Sequence, residues 1–243
     1  MNLESRNYIL LLLLGCEEYM EAYIKVLESH PLFKGTSIPM NEILTELKCK
    51  IKKYKKDEYI ILAGDTITSF GILLDGEARI IREDIMGNCV IIADLMKGEI
   101  FAETFVCADV KFSPVSVISE KDCKVLWIFL DGIKSEVLNK IGTGQIIMGN
   151  LLKLLAAKNL HLNRKMEILS KRTIREKFMA YLNFLAQDNQ SPTFILPLNR
   201  NELALYLCVD RSALSREIMK LKNEEIIIFQ KEYITILKEA IEN

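Results

Sequence analysis

Histidine, proline and tryptophan are scarce in this sequence, and so are glycine and net charge. Its 243 residues include 2 histidines, 5 prolines, 1 tryptophan and 11 glycines, and the formal net charge is −1. Half of the residues are hydrophobic. This composition excludes a disordered or collagen-like chain and predicts a globular protein with one large or two small domains.

The shortage of histidine argues against metal chemistry. A metal-dependent cupin-type enzyme needs several barrel histidines with a carboxylate, and only His30 and His161 are present. The 6 cysteines are scattered, without a CxxC pair or a histidine at zinc-ligand spacing. No P-loop or nucleophile elbow occurs. We therefore predict no metal site and no catalytic residues, and keep the cupin-type enzyme as an alternative.

No apolar run is long enough to span a bilayer. The run within NYILLLLLGC (7–16) is far shorter than the roughly 20 residues of a membrane-spanning helix. Glu4 offsets Arg6, so the positive start of a signal peptide is missing. We expect a cytoplasmic protein without membrane contact. The alternative is an exported lipoprotein acylated at Cys16.

Residues 17–50 predict short helices, and residues 50–130 predict strands. Short runs of Ile, Val and Leu are separated by turn sequences every 10 residues or so, as in a sandwich or barrel. The turns are AGD (63–65), LDGE (74–77), MGN (86–88) and KGE (97–99), and the final strands are PVSVIS (114–119) and CKVLWIFL (123–130).

Residues 145–187 predict long helices, because they contain no proline and, after Gly149, no glycine. One apolar row repeats in steps of four and three, as in a coiled coil, and an Asn within such a row fixes register and pairing. The row consists of Met148, Leu152, Leu155, Asn159, Leu162, Met166 and Leu169. We predict a parallel homodimer on this seam, with packing inside one chain as the alternative. A second row is predicted to face the barrel: Ile147, Leu151 and Leu154.

Three further helix starts are predicted. Thr173 with Glu176 forms a capping box, Asn199 with Glu202 begins another helix, and Asp210 caps a third after an interruption in the apolar pattern. In the third helix, three residues recur at i, i+4 and i+7 and face inward: Leu214, Ile218 and Leu221. EIIIF (225–229), a QKE turn and YITIL (233–237) predict a trailing hairpin, after the short strand FILPL (194–198).

These elements have the order of a winged helix–turn–helix, whose second helix enters the major groove of DNA. Its outer face carries Arg and Ser, which suit guanine and phosphate. Basic residues also concentrate upstream, at Lys153, Lys158, Arg164, Lys165, Lys171, Arg172, Arg175 and Lys177. We predict sequence-specific DNA binding, with a solvated helical subdomain as the alternative.

From Met20 to Leu237 the sequence resembles the Crp–Fnr family of bacterial transcription regulators. The most specific segments are NRKMEILSKRTIREK (163–177) and RNELALYLCVDRSALSREIMKLKNEEII (200–227). The expected fold is α+β: an N-terminal antiparallel β-roll of jelly-roll or cupin-like type, a long dimerisation helix and a C-terminal winged helix–turn–helix. The corresponding domains are 1–140, 141–169 and 170–243.

The resemblance implies which residues contact DNA. Base- and phosphate-reading positions fall on Arg211, Ser212, Ser215 and Arg216, and phosphate-contacting positions fall on Arg200 and Lys171. Cys208 and Glu225 stand where the family often has glycine, in the turn and before the wing. We expect small backbone adjustments there, without loss of DNA binding.

The resemblance also places a candidate effector pocket in KGEIFAETFVCADVKFSPVSV (97–117). Cyclic-nucleotide binders of the family have Gly-Glu for the ribose and a following Arg-Ser or Arg-Ala for the phosphate. Here Ala102 replaces the Gly, and Ser113-Pro114 stands in place of Arg-Ser. A buried phosphate without its guanidinium is poorly compensated, so we expect no binding of cyclic AMP. The candidate pocket residues are Glu103, Thr104, Ser113 and Lys158.

The overall prediction is a homodimeric, non-enzymatic transcription regulator. It binds an inverted-repeat operator in double-stranded DNA, contacts RNA polymerase, and responds to a small-molecule or redox effector of unknown identity. The cysteine and histidine pattern does not favour an iron–sulfur cluster or haem. The sequence indicates neither the operator nor the direction of regulation.

Overall fold

The computed structural model describes residues 20–47, 49–83, 89–230 and 233–237. The structure divides into two compact units, Met1–Leu155 and Ala156–Asn243. The apolar N-terminal run with Cys16, the predicted MGN turn and most of the predicted QKE turn lie outside the described residues.

The first unit opens with two helices, α1 (Met20–Ser29) and α2 (Met40–Glu46). Between them a short 3₁₀ turn spans Pro31–Phe33. His30 caps this turn, because its Nδ1 accepts a hydrogen bond from Leu32 N at 3.1 Å. One of the two histidines therefore has a structural role.

Antiparallel strands follow, as the turn spacing predicts. In chain order they are β1 (Lys50–Tyr54), β2 (Tyr59–Ile61), β3 (Ser69–Asp75), β4 (Ala78–Glu83), β5 (Cys89–Leu95), β6 (Ile100–Phe101), β7 (Ser116–Ser119) and β8 (Cys123–Phe129). They form one sheet in the order β1-β8-β3-β6 and a second in the order β2-β7-β4-β5. Within these sheets Leu73 pairs with Val125, and Ile80 pairs with Val117.

The two sheets share an apolar interior. Leu73, Phe101 and Val125 of the first sheet belong to the same buried cluster as Ala78 and Val117 of the second. A tight turn at Gly76, with φ 88°, connects β3 to β4. A Cβ at this position would meet the backbone oxygen of Asp122, so the turn needs glycine both for its conformation and for space.

Short helices lead from the roll to one long helix. Whereas α3 (Glu103–Cys107) lies within the roll, between β6 and β7, the helices α4 (Leu130–Ile133) and α5 (Glu136–Lys140) follow β8 and lead to the long α6 (Thr143–Ser170). Ile147 and Leu151 on α6 are fully buried in the core of the first unit, and Leu154 packs against it. The prediction that this second apolar row faces the barrel is therefore confirmed.

The second unit contains the remaining elements. They are α7 (Ile174–Asn189), β9 (Thr193–Ile195), α8 (Arg200–Tyr206), α9 (Arg211–Asn223), β10 (Ile227–Gln230) and β11 (Tyr233–Ile236). The strands form an antiparallel sheet in the order β10-β11-β9. β9 ends before Pro197, which has no backbone N–H, so this strand is shorter than predicted. The α+β architecture is as expected.

Candidate nucleic-acid interface and effector pocket

Helix α8 begins with the predicted capping box. Asn199 Oδ1 accepts hydrogen bonds from Asn201 N at 2.9 Å and Glu202 N at 3.1 Å. Glu202 Oε2 accepts one from Asn199 N at 2.8 Å. The box satisfies N–H groups that have no partner within the helix, so it sets where α8 starts.

The turn between α8 and α9 depends on Cys208. Its φ is 52°, in the left-handed region, and its N–H donates to Leu205 O at 3.1 Å. From α7, Lys177 Nζ donates to Leu207 O at 3.4 Å. The chain therefore takes at Cys208, without glycine, the left-handed conformation that glycine favours.

Asp210 begins α9, as predicted. Its Oδ1 accepts hydrogen bonds from Ala213 N at 2.9 Å and from the Ser212 hydroxyl at 2.6 Å. These bonds, that of Ser212 first, hold the pKa of Asp210 below its ordinary value. The Ser212 proton is thus engaged in the cap, which leaves the hydroxyl oxygen as an acceptor for DNA.

Helix α9 has one buried side and one exposed side. Leu214 and Leu221 are fully buried and Ile218 is nearly so. On the other side four predicted DNA-contacting residues are exposed: Arg211, Ser212, Ser215 and Arg216. Buried packing thus holds the helix while this face meets solvent, the arrangement that a recognition helix needs.

The upstream basic residues are less available than the sequence indicated. Arg175 donates from both Nη atoms to the Glu224 carboxylate, with Nη1 3.2 Å from Oε1, and this pairing raises its pKa. Arg164 Nη1 donates to Asp188 Oδ2 at 2.7 Å. Lys165 Nζ lies 5.3 Å from the centre of the Tyr206 ring. Several of these cations therefore stabilise the second unit instead of forming an open basic surface.

Lys171 and Arg200 differ in exposure. Lys171 is exposed between α6 and α7, as its predicted phosphate contact requires. The Arg200 guanidinium stacks on the Phe229 ring, with Cζ 4.9 Å from the ring centre, and burial lowers its pKa. The sequence could not reveal this stack, because the two residues lie in separate elements.

The predicted effector-pocket residues differ in burial and in hydrogen bonding. Glu103 is 2% exposed, and Thr104 Oγ1 lies 3.4 Å from Glu103 Oε1. The Ser113 hydroxyl donates to Val115 O at 2.6 Å, so it braces the local backbone. Lys158 is exposed and belongs to the second unit. Ala102 has φ 63°, the conformation for which glycine is suited.

Three aromatic side chains pack together in the roll. The Phe101 ring occupies the space that a Cβ on Gly71 would take, and it packs edge-on against Trp127 at 5.5 Å. Trp127 Nε1 donates to Tyr54 Oη at 3.1 Å. These contacts fix the three rings relative to one another.

A cleft of about 560 Å³ lies on the roll. Its lining includes Thr66, Thr68, Phe105, Lys111 and Phe129. Phe105 and Lys111 belong to the segment 97–117 that the sequence predicts as the effector pocket, whereas the other lining residues come from two segments that the sequence did not single out. Within the described residues, no group of three or more His, Cys, Asp or Glu could hold a metal ion. No helix in the described ranges is long and apolar enough to cross a membrane.

Two family models match the chain. Residues 51–139 match the cyclic nucleotide-binding domain, and residues 176–240 match the Crp-like helix-turn-helix domain. A roll of the cyclic nucleotide-binding type followed by a winged helix–turn–helix defines a DNA-binding transcription regulator. The chain belongs to the Crp–Fnr family of these regulators.

Solved structures with similar folds are regulators with low sequence identity. The catabolite activator protein of Thermus thermophilus is 23% identical, covers 86% of this chain and 94% of its own, and has a TM-score of 0.48. DNR from Pseudomonas aeruginosa is 19% identical, with coverages of 88% and 93% and a TM-score of 0.46. The c-di-GMP-responsive regulator CLP of Xanthomonas campestris is 16% identical, with coverages of 81% and 99% and a TM-score of 0.47. No curated protein sequence matches the chain.

Proposed function

We propose that the protein regulates transcription as a homodimer that places two copies of α9 in successive major grooves of an inverted-repeat operator. The observation that carries this proposal is the exposed Arg and Ser face of α9, held by a buried apolar row and an N-terminal cap. In a two-fold dimer the half-sites lie about one helical turn, roughly 34 Å, apart. The protein acts by binding DNA and RNA polymerase in the cytoplasm, without catalysing a reaction.

Contacts to DNA divide into two kinds in this proposal. Arg211, Arg216 and Ser215 face base edges, where Arg can donate two hydrogen bonds to guanine. Lys171 contacts the phosphate backbone. Arg200, held by its stack on Phe229, does the same at the start of α8.

Dimerisation is assigned to α6. Leu152, Leu162 and Met166 are 68%, 57% and 68% exposed, although they are large apolar residues. Within the same row, Met148 and Leu155 also pack against the core of the first unit. A second copy of α6 would cover the exposed members, and Asn159, itself exposed, would set the register. We accordingly assign effector sensing to residues 1–140, dimerisation to residues 141–169 and DNA binding to residues 170–243.

The effector is a molecule other than cyclic AMP. Ser113 supplies no charge for a phosphate, and its hydroxyl is engaged with Val115 O. Glu103 and Thr104 remain the candidate polar contacts for an effector in the roll. The identity of that effector is best sought in protein purified from its own host.

The base-reading role is tested with operator libraries selected by wild-type protein and by two variants. Arg216→Ala should cost roughly 1–3 kcal/mol and relax the preference at one base pair in each half-site. Lys171→Ala, the matched backbone-contact variant, should weaken all sequences alike and lower the salt slope by about one. A uniform loss for Arg216→Ala, with the preferred sequence unchanged, would make Arg216 a phosphate anchor and refute its role in base reading.

A further inference from the structure

Met219 is an exposed apolar side chain on the outer side of α9. It is 57% exposed, whereas the adjacent Ile218 is 5% exposed and belongs to the buried row. Met219 follows Ser215 by four residues and Arg216 by three, which are the spacings of neighbours on one helix face. The side chain therefore extends the face that carries Ser215 and Arg216.

The spacing along α9 matches a reading pattern used by another helix–turn–helix class. In homeodomains, the base-contacting positions of the recognition helix are spaced i, i+3, i+4 and i+7. Ser212, Ser215, Arg216 and Met219 have this same spacing. At a rise of 1.5 Å per residue, Met219 lies about 6 Å beyond Ser215 along the helix axis. It thus lies about one turn towards the C-terminus from Ser215, on the same side of the helix.

The chemistry of Met219 restricts what it could recognise there. Its thioether is at most a weak hydrogen-bond acceptor, so it can neither bind phosphate nor donate to guanine. The apolar group that a base edge presents in the major groove is the C5-methyl of thymine. An unbranched, polarisable side chain adapts well to such a contact.

We propose that Met219 is a specificity-determining residue that packs against a thymine methyl group at one base pair of each half-site. This inference rests on the proposed function, because it requires α9 to lie in the major groove. It adds apolar readout of thymine to readout by the charged and hydroxyl groups of the same face.

The test replaces thymine with deoxyuridine, which lacks only the methyl group, at each position of the selected half-site in turn. With full-length wild-type protein, one replacement should lower affinity about fourfold, the effect expected for about one buried methyl group. Met219→Ala should bind the thymine and uracil operators equally. Met219→Leu, which keeps an apolar side chain, should retain a preference for thymine.

Controls separate this inference from the proposed function. Arg216→Ala should bind more weakly but keep the thymine preference, since it leaves Met219 in place. The inference is overturned if no replacement of thymine by uracil lowers the affinity of the wild-type protein. It is also overturned if Met219→Ala keeps the wild-type ratio of affinities for the thymine and uracil operators. If wild type selects no operator sequence at all, the proposed function itself fails, and the inference fails with it.

Discussion

Among the six described non-glycine residues with positive φ, three stand where the family often has glycine. Ala102, Cys208 and Glu225 have φ of 63°, 52° and 55°. A left-handed conformation costs a residue with a side chain roughly 1–2 kcal/mol. Because each of them carries a side chain, the left-handed conformation strains the backbone at these three positions.

Glu225 provides a direct test of that strain. Glu225→Gly should stabilise the second unit by about 0.5–1 kcal/mol, because glycine adopts this φ freely but loses more backbone entropy on folding. Urea unfolding followed by circular dichroism measures the change. The matched control is Asn223→Gly at the last residue of α9, which should be neutral or mildly destabilising. Stabilisation of equal size in both variants would contradict the explanation by strain.

The cap at Asp210 should make stability depend on pH in acid. Its hydrogen bonds lower the pKa in the folded state, and the unfolded chain lacks them, so the unfolded state binds more protons. The stabilisation is complete above the ordinary pKa of about 4 and is lost as the pH falls through the lowered value.

Two substitutions at Asp210 separate the cap from its charge. Asp210→Ala should lower the urea midpoint at pH 7, because Ala cannot accept the N–H bonds. Asp210→Asn should keep most of the stability at pH 7 and remove this residue's share of the acid dependence, because Asn caps without titrating. An acid transition identical in wild type and Asp210→Asn would show that this carboxylate is not the group responsible.

At the scale of elements, the apolar row on α6 predicts where a second chain contacts it. Leu162 lies on the row and is 57% exposed, whereas Leu160 is 63% exposed and lies off it. Leu162→Glu should give monomers that bind the operator at least tenfold more weakly, since a charge within the seam disfavours pairing. Leu160→Glu should stay dimeric. Light scattering measures the oligomeric state of each variant, and an operator-binding assay measures its affinity for DNA. If the Leu162→Glu protein is still dimeric, the dimer seam lies elsewhere.

The sequence predicted elements better than it predicted contacts between them. Local sequence patterns predicted the capping boxes and the buried row of α9, because the residues that form each feature are only three or four positions apart. The Arg175–Glu224 pair was not predictable, because 49 residues separate its partners. The same holds for Arg200 on Phe229 and for Phe101 beside Gly71, where tertiary packing alone brings the groups together.

At the scale of the whole molecule, the signal that controls DNA binding should not be cyclic AMP. Calorimetry of the full-length protein with millimolar cyclic AMP or cyclic GMP should show no saturable heat, and operator affinity should be unchanged. The physical reason is that Ser113, at the position of the phosphate-binding arginine, carries no guanidinium to compensate a buried phosphate. Saturable binding at micromolar concentration would mean that another cation, such as Lys111 or Lys158, neutralises the phosphate.

The anchoring of α9 bears on how such a protein can change its targets. The helix is held by buried leucines, by a cap at its start and by Arg175 at its end, whereas the side chains of Ser215, Arg216 and Met219 are exposed. Substitutions on that outer face therefore leave folding almost untouched. Under the proposed mode of DNA binding, a lineage or a protein engineer would be able to retarget the regulator one side chain at a time without first having to restabilise it.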